Sequence, residues 1–119
     1  MTNEEFNEYF RKRTKTFAVG AINFCDKLAP SQTTSVIIYQ LCKSATSVGA
    51  NYRAFCRGRS KRELYSKICI VVEEADESLY WLEVILDSGK DNSQGLQSLI
   101  QEATEILKVV AKTKSSLEG

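Results

Sequence analysis

Apolar residues recur at three- and four-residue steps along almost the whole chain, and nowhere in strict alternation. That is the period of a helix, not of a strand. Strong breaks are few: Pro30-Ser31, Gly58-Arg59-Ser60 and Ser88 to Ser93. They predict four helices, over residues 3–29, 33–57, 61–88 and 93–116, in one domain spanning 1–119. The first carries Phe10, Phe17, Ala21, Phe24 and Leu28 on one stripe, with Thr2 or Asn3 before it as N-cap. The second shows Ile38, Leu41, Ala45, Val48, Tyr52 and Phe55, and Gly58 is placed to end it. The third opens with the capping-box pattern Ser60-x-x-Glu63 and runs Tyr65, Ile68, Val72, Ala75, Leu79, Leu82, Leu86 as a seven-residue repeat. The fourth follows Ser93 with Leu96, Leu99, Ala103, Ile106 and Val110. Such stripes joined by short loops make neighbours antiparallel, so the expected fold is all-α, an up-down-up-down antiparallel four-helix bundle.

Composition narrows the chemistry. The 119 residues, 43% hydrophobic and 26% charged, suit one core. The chain has no histidine, which removes His-ligated zinc, Ser-His-Asp and Cys-His catalysis and the Glu-x-x-His di-iron pattern. Cys25, Cys42, Cys56 and Cys69 lie 17, 14 and 13 residues apart, so no CxxC pair exists and small buried thiols are expected. The start is acidic and unlike a secretory signal. The longest uncharged run, Leu28 to Cys42, is too short to span a bilayer, for which about 20 residues are needed. A cytoplasmic protein with no membrane contact is the expectation.

Charge is uninformative as a total, +1, but not as a distribution. Residues 1–67 hold twelve basic and five acidic side chains, whereas residues 68–119 hold four basic and ten acidic. In the expected bundle, one end collects Arg11, Lys12, Arg13, Lys15, Arg53, Arg57, Arg59, Lys61 and Arg62, with Lys67, Lys108, Lys112 and Lys114 nearby. Clustered Arg and Lys raise the local potential and release counterions from nucleic acid, which makes these nine residues the candidate phosphate-binding set. Tyr9, Tyr52 and Phe55 fall at the same end and would stack on unpaired bases if exposed. The competing reading is a solvated face, blunted by Glu4, Glu5, Glu8, Glu63 and Glu118.

The third helix is more apolar than one bundle position requires, since Ile70, Val71, Tyr80, Trp81, Val84 and Ile85 widen its face. The candidate oligomer interface is Ile70, Glu74, Glu77, Tyr80, Trp81 and Val84, with the aromatics as anchors. The acidic run Glu73, Glu74, Asp76, Glu77 is better suited to solvated charge or pairing with a neighbour than to a metal, because only Glu102 and Glu105 offer a second carboxylate pair. No catalytic residue, metal ligand or cofactor is assigned, and no small-molecule substrate is expected. Asn51, beside the second stripe, is expected to be satisfied near the core or to donate between helices.

The stretch Gly49-Ala-Asn-Tyr-Arg-Ala-Phe-Cys-Arg-Gly-Arg-Ser-Lys-Arg-Glu-Leu-Tyr-Ser-Lys-Ile, followed by Val72-Glu-Glu-Ala-Asp-Glu-Ser-Leu-Tyr-Trp-Leu-Glu, resembles the bacterial 23S rRNA intervening-sequence proteins, also called the four helix bundle protein family. The resemblance runs from about Phe17 to Val110, with Leu64 where the family often has an aromatic residue. It implies a left-handed bundle assembled as a ring-shaped homopentamer, without an established biochemical activity. A similar fold serves as the accessory protein of diversity-generating retroelements, where a basic pentamer contacts nucleic acid. The matching positions Asn51, Arg53, Ser60, Glu74, Glu77 and Trp81 look like packing positions rather than catalytic ones. The expected function is that of a non-enzymatic oligomer whose basic end binds RNA or DNA phosphates. The alternative is a protein-interaction scaffold or accessory subunit with no nucleic-acid role.

Overall fold

In a computed structural model describing residues 1–118, four helices occupy α1 (Asn3–Cys25), α2 (Gln32–Cys56), α3 (Lys61–Asp87) and α4 (Gln94–Glu118). Each starts on a hydroxyl that accepts an orphan backbone N–H, contributing about 1 kcal/mol. Thr2 and Glu5 form a reciprocal capping box on α1. Ser31 accepts from the Thr34 N–H, Ser60 from Glu63 and Ser93 from Leu96. At α3 the expected box is shifted by one residue. The Glu63 carboxylate accepts the Arg59 N–H at 2.7 Å, not that of Ser60.

Helix ends are equally local in cause. The first helix stops at Cys25, short of the expected residue 29, yet Leu28 still folds back into the core. Gly89 takes φ +77°, and the Lys90 and Gly89 N–H groups donate to the Ile85 and Leu86 carbonyls, a Schellman closure that favours glycine at this position. Gly58 fits closely, since a Cβ there would lie 2.7 Å from Leu64 Cδ2 and the leucine would have to shift.

The helices pack in chain order around a square, α1 on α2, α2 on α3 and α3 on α4, with α1 and α4 closing it least extensively. The bundle measures 45 × 24 × 19 Å. Phe10, Leu41, Tyr52, Ile68, Leu82, Leu96 and Ile106 fill its axis. The inner face of α3 differs from the expected heptad stripe. It is Ile68, Val71, Ala75, Ser78, Leu82 and Ile85, while Tyr65, Val72, Leu79 and Leu86 are only half-buried. A helix clamped between two neighbours presents its centre to the core and its flanks to each neighbour. Ser78 looks toward α2, where it meets Ser44 at 3.1 Å, and Tyr65 reaches Glu118 of α4 at 3.4 Å. Val71 and Ile85 are therefore core residues rather than surplus apolar surface. Ile38 likewise is half-buried, and its neighbour Ile37 takes the core position.

Candidate nucleic-acid interface

Because α1 and α2 cross over small residues, their backbones come close. A Cβ on Gly49 would stand only 3.5 Å from the Thr14 carbonyl oxygen. Outside this crossing runs an open groove of about 470 Å³ floored by Ala18, Thr46, Gly49 and Ala50. Its walls are Arg11, Lys12 and Lys15 from α1 and Arg53 and Arg57 from α2. Among the described residues, no acidic one lines it. Lys12 has a loose 3.7 Å contact with Glu8, both largely solvated, and such exposed pairs contribute little. Arg57 is shared with a second groove of about 450 Å³, where Arg62 and Lys67 stand with Glu63 between α2 and α3. The basic surface thus wraps around one edge of the bundle. Arg59 and Lys61 are exposed at the α2–α3 turn and line neither groove.

One of the nine candidate cations lies elsewhere. Arg13 points toward α4, where its Nε and Nη2 donate to the two oxygens of Glu102 at 2.8 and 2.7 Å, and Nη2 also donates to Glu105 at 2.9 Å. Its Nη1 donates to the Tyr9 hydroxyl at 3.3 Å. Donating to Glu102 raises the arginine's pKa above its ordinary value, and the hydrogen bond from Arg13 holds the Glu105 carboxyl below its own. This two-carboxylate clamp ties α1 to α4 where their packing is thinnest. Nothing in the spacing of Arg13 pairs it with residues 89 and 92 positions away, so only the fold reveals the clamp.

The clamp carries a pH prediction. A lowered folded-state carboxyl pKa adds stability that is present above the unfolded value, near 4.5 for Glu105, and lost as pH falls through the folded one. Arg13→Ala should therefore destabilise the protein at pH 7, and the deficit should shrink toward about pH 3. Urea melts of both proteins at the two pH values measure this. A deficit that does not change with pH would mean that Arg13 contributes packing alone.

The aromatic expectation needs correction. Tyr52 and Phe55 are buried in a cluster with Phe10, whose ring stands edge-on to Tyr52 at 5.0 Å. The Tyr52 hydroxyl is satisfied by the Asn7 side chain at 3.3 Å. Neither ring can meet a base. Tyr9 is exposed but belongs to the Arg13 side of α1. Asn51 donates to the Ser47 carbonyl and hydroxyl within α2 rather than between helices.

The candidate oligomer interface forms one surface of α3. Glu77 and Tyr80 are exposed, while Ile70, Glu74, Trp81 and Val84 are half-buried. The Tyr80 and Trp81 rings meet edge-on at 5.0 Å, and the Trp81 indole N–H is buried without an acceptor. Among the described residues, no group of three or more Cys, Asp or Glu side chains is placed to hold a metal ion, and no helix is long and apolar enough to cross a membrane. Burial pushes the Cys25 thiol up to about 12, so it stays protonated and packs as a small apolar group beside Cys42.

A family model described as 23S rRNA-intervening sequence protein matches residues 9–112. No curated protein matches the chain. A crystal structure of a protein of unknown function from the S23 ribosomal protein family of Bacteroides thetaiotaomicron VPI-5482 superposes with a TM-score of 0.82 at 28% identity, covering 92% of this chain and 97% of that one.

Proposed function

The chain belongs to the 23S rRNA-intervening sequence protein family, and from that premise we propose that it is a non-enzymatic nucleic-acid-binding protein that grips phosphates in the α1–α2 groove. The observation that carries this reading is the groove itself. Five cations from two helices converge on it without an acidic partner in its lining. Three of the five are arginines, whose planar forks suit phosphate oxygens. The sequence supports the groove: between Glu8 and Asp26, and again between Asp26 and Glu63, no Asp or Glu occurs.

Fluorescence anisotropy of a labelled structured RNA, titrated across salt, tests the reading. Each phosphate contact adds roughly 0.7–0.9 to the slope of log affinity against log salt. A slope of about 3.5–4.5 is expected from the five cations. Absence of binding at low salt would end the proposal. The second reading, a scaffold that contacts protein through α3, is favoured by Tyr80, which is 56% exposed beside Trp81. A solution mass equal to one chain by light scattering would remove self-association from it.

A further inference from the structure

The basic groove is one end of a longer seam. Positions 39, 43, 46, 50, 53 and 57 of α2 follow one another at three- and four-residue steps. The last four line the groove, so the same stripe continues through Lys43 to Tyr39. Tyr39 is 65% exposed, more than any other tyrosine among the exposed large apolar side chains. On α1 the matching stripe of Arg11, Lys15 and Ala18 continues to Ile22, which is also exposed. The α2 stripe therefore runs from cations to an open aromatic ring with no acid among its own positions, and on α1 the first acid, Asp26, comes one turn after Ile22.

Its dimensions select among polyanions. Arg11 and Lys15 are one turn apart on one wall, and Arg53 and Arg57 on the other, each pair separated by about 6 Å along its helix. A flexible strand lying on the floor of small residues meets cations on both sides. A duplex is too wide to sink between two helices packed about 8–10 Å apart, and it would reach only the tips of one row. From Arg53 to Tyr39 is about 21 Å along α2, a span of a few nucleotides. Only a strand with unpaired bases can offer one to the ring at the far end.

We infer that the α1–α2 seam takes an unpaired stretch of nucleic acid, its phosphates held between Arg11, Lys15, Arg53 and Arg57 and a base stacked on Tyr39. This rests on the phosphate reading of the groove and narrows it to single strands.

The experiment compares a labelled oligouridine of about 12 nucleotides with an RNA duplex of the same length, using the full chain at about 0.1 M salt. The duplex is expected to bind at least about tenfold more weakly. Tyr39→Ala should weaken oligouridine binding by about 5- to 100-fold, the range of one lost stack, and leave both the salt slope and duplex binding unchanged. Tyr39→Phe should retain the parent affinity, because stacking needs the ring and not the hydroxyl. Equal affinity for duplex and single strand, or an inert Tyr39→Ala, would overturn the inference while leaving the groove a phosphate site. Polyglutamate that competes as well as oligouridine would overturn it too, because the seam would then take any polyanion. Failure of both RNAs to bind at low salt would remove the phosphate reading along with it.

Discussion

Reversing two charges in the groove, Arg53→Glu with Arg57→Glu, should lower affinity for RNA by about two to three orders of magnitude at 0.1 M salt. Losing two contacts to a single strand removes roughly 1.4 from the salt slope, and the introduced carboxylates add repulsion of comparable size. The fold should survive the change. Both arginines are exposed, and neither takes part in an ion pair among the described residues. Surface substitutions of this kind usually shift stability by no more than about 0.5 kcal/mol. The informative control is Arg59→Glu with Lys61→Glu, which makes the same change in net charge outside both grooves. It should act only through the long-range field and cost well under tenfold, an effect that fades as salt rises. Equal losses from reversals inside and outside the groove would show that overall charge, not the groove, governs binding.

The second large effect concerns the core of α3. Leu82→Ala should destabilise the bundle by about 2–5 kcal/mol, because Leu82 is fully enclosed and its removal leaves a cavity that four packed helices cannot collapse around. Leu79→Ala, one turn earlier, should cost only about 1 kcal/mol, since part of that side chain already meets water. The seven-residue stripe alone makes the two leucines equivalent, so the comparison tests the face that α3 turns inward. Urea melts give both values. Equal costs would place the core on the whole seven-residue stripe from Tyr65 to Leu86, Leu79 included.

These two experiments mark where sequence reasoning stops. The helices and their order were legible because their causes are local: hydroxyl caps at Thr2, Ser60 and Ser93, the break at Pro30-Ser31, the glycine that closes α3, and apolar residues at helical period. The same locality explains why Phe10, Phe17, Ala21 and Phe24 were readable as the inner face of α1. For α3 the period left two faces open, because apolar residues cover both. Which face turns inward depends on where α2 and α4 sit, and that is not written in any window of α3.

The candidate site divides in the same way. That the first half of the chain is basic, with Asp26 the one acid between Glu8 and Glu63, is a property of the sequence. Which of its cations stand together is not. Arg11, Lys12 and Lys15 meet Arg53 and Arg57 because small residues let α1 and α2 approach closely, whereas Arg13, between them in sequence, turns by the helical repeat to the other flank. There it finds Glu102 and Glu105, which no local pattern joins to it. Tyr52 and Phe55 likewise are adjacent to the basic residues in sequence and buried in space. By itself the sequence determined the helices, their caps and the sign of each half, since each arises within a turn or two of chain. The tertiary structure alone decided the inward face of α3, the membership of the groove and the exposed ring at its end, since each depends on side chains from different helices meeting across space.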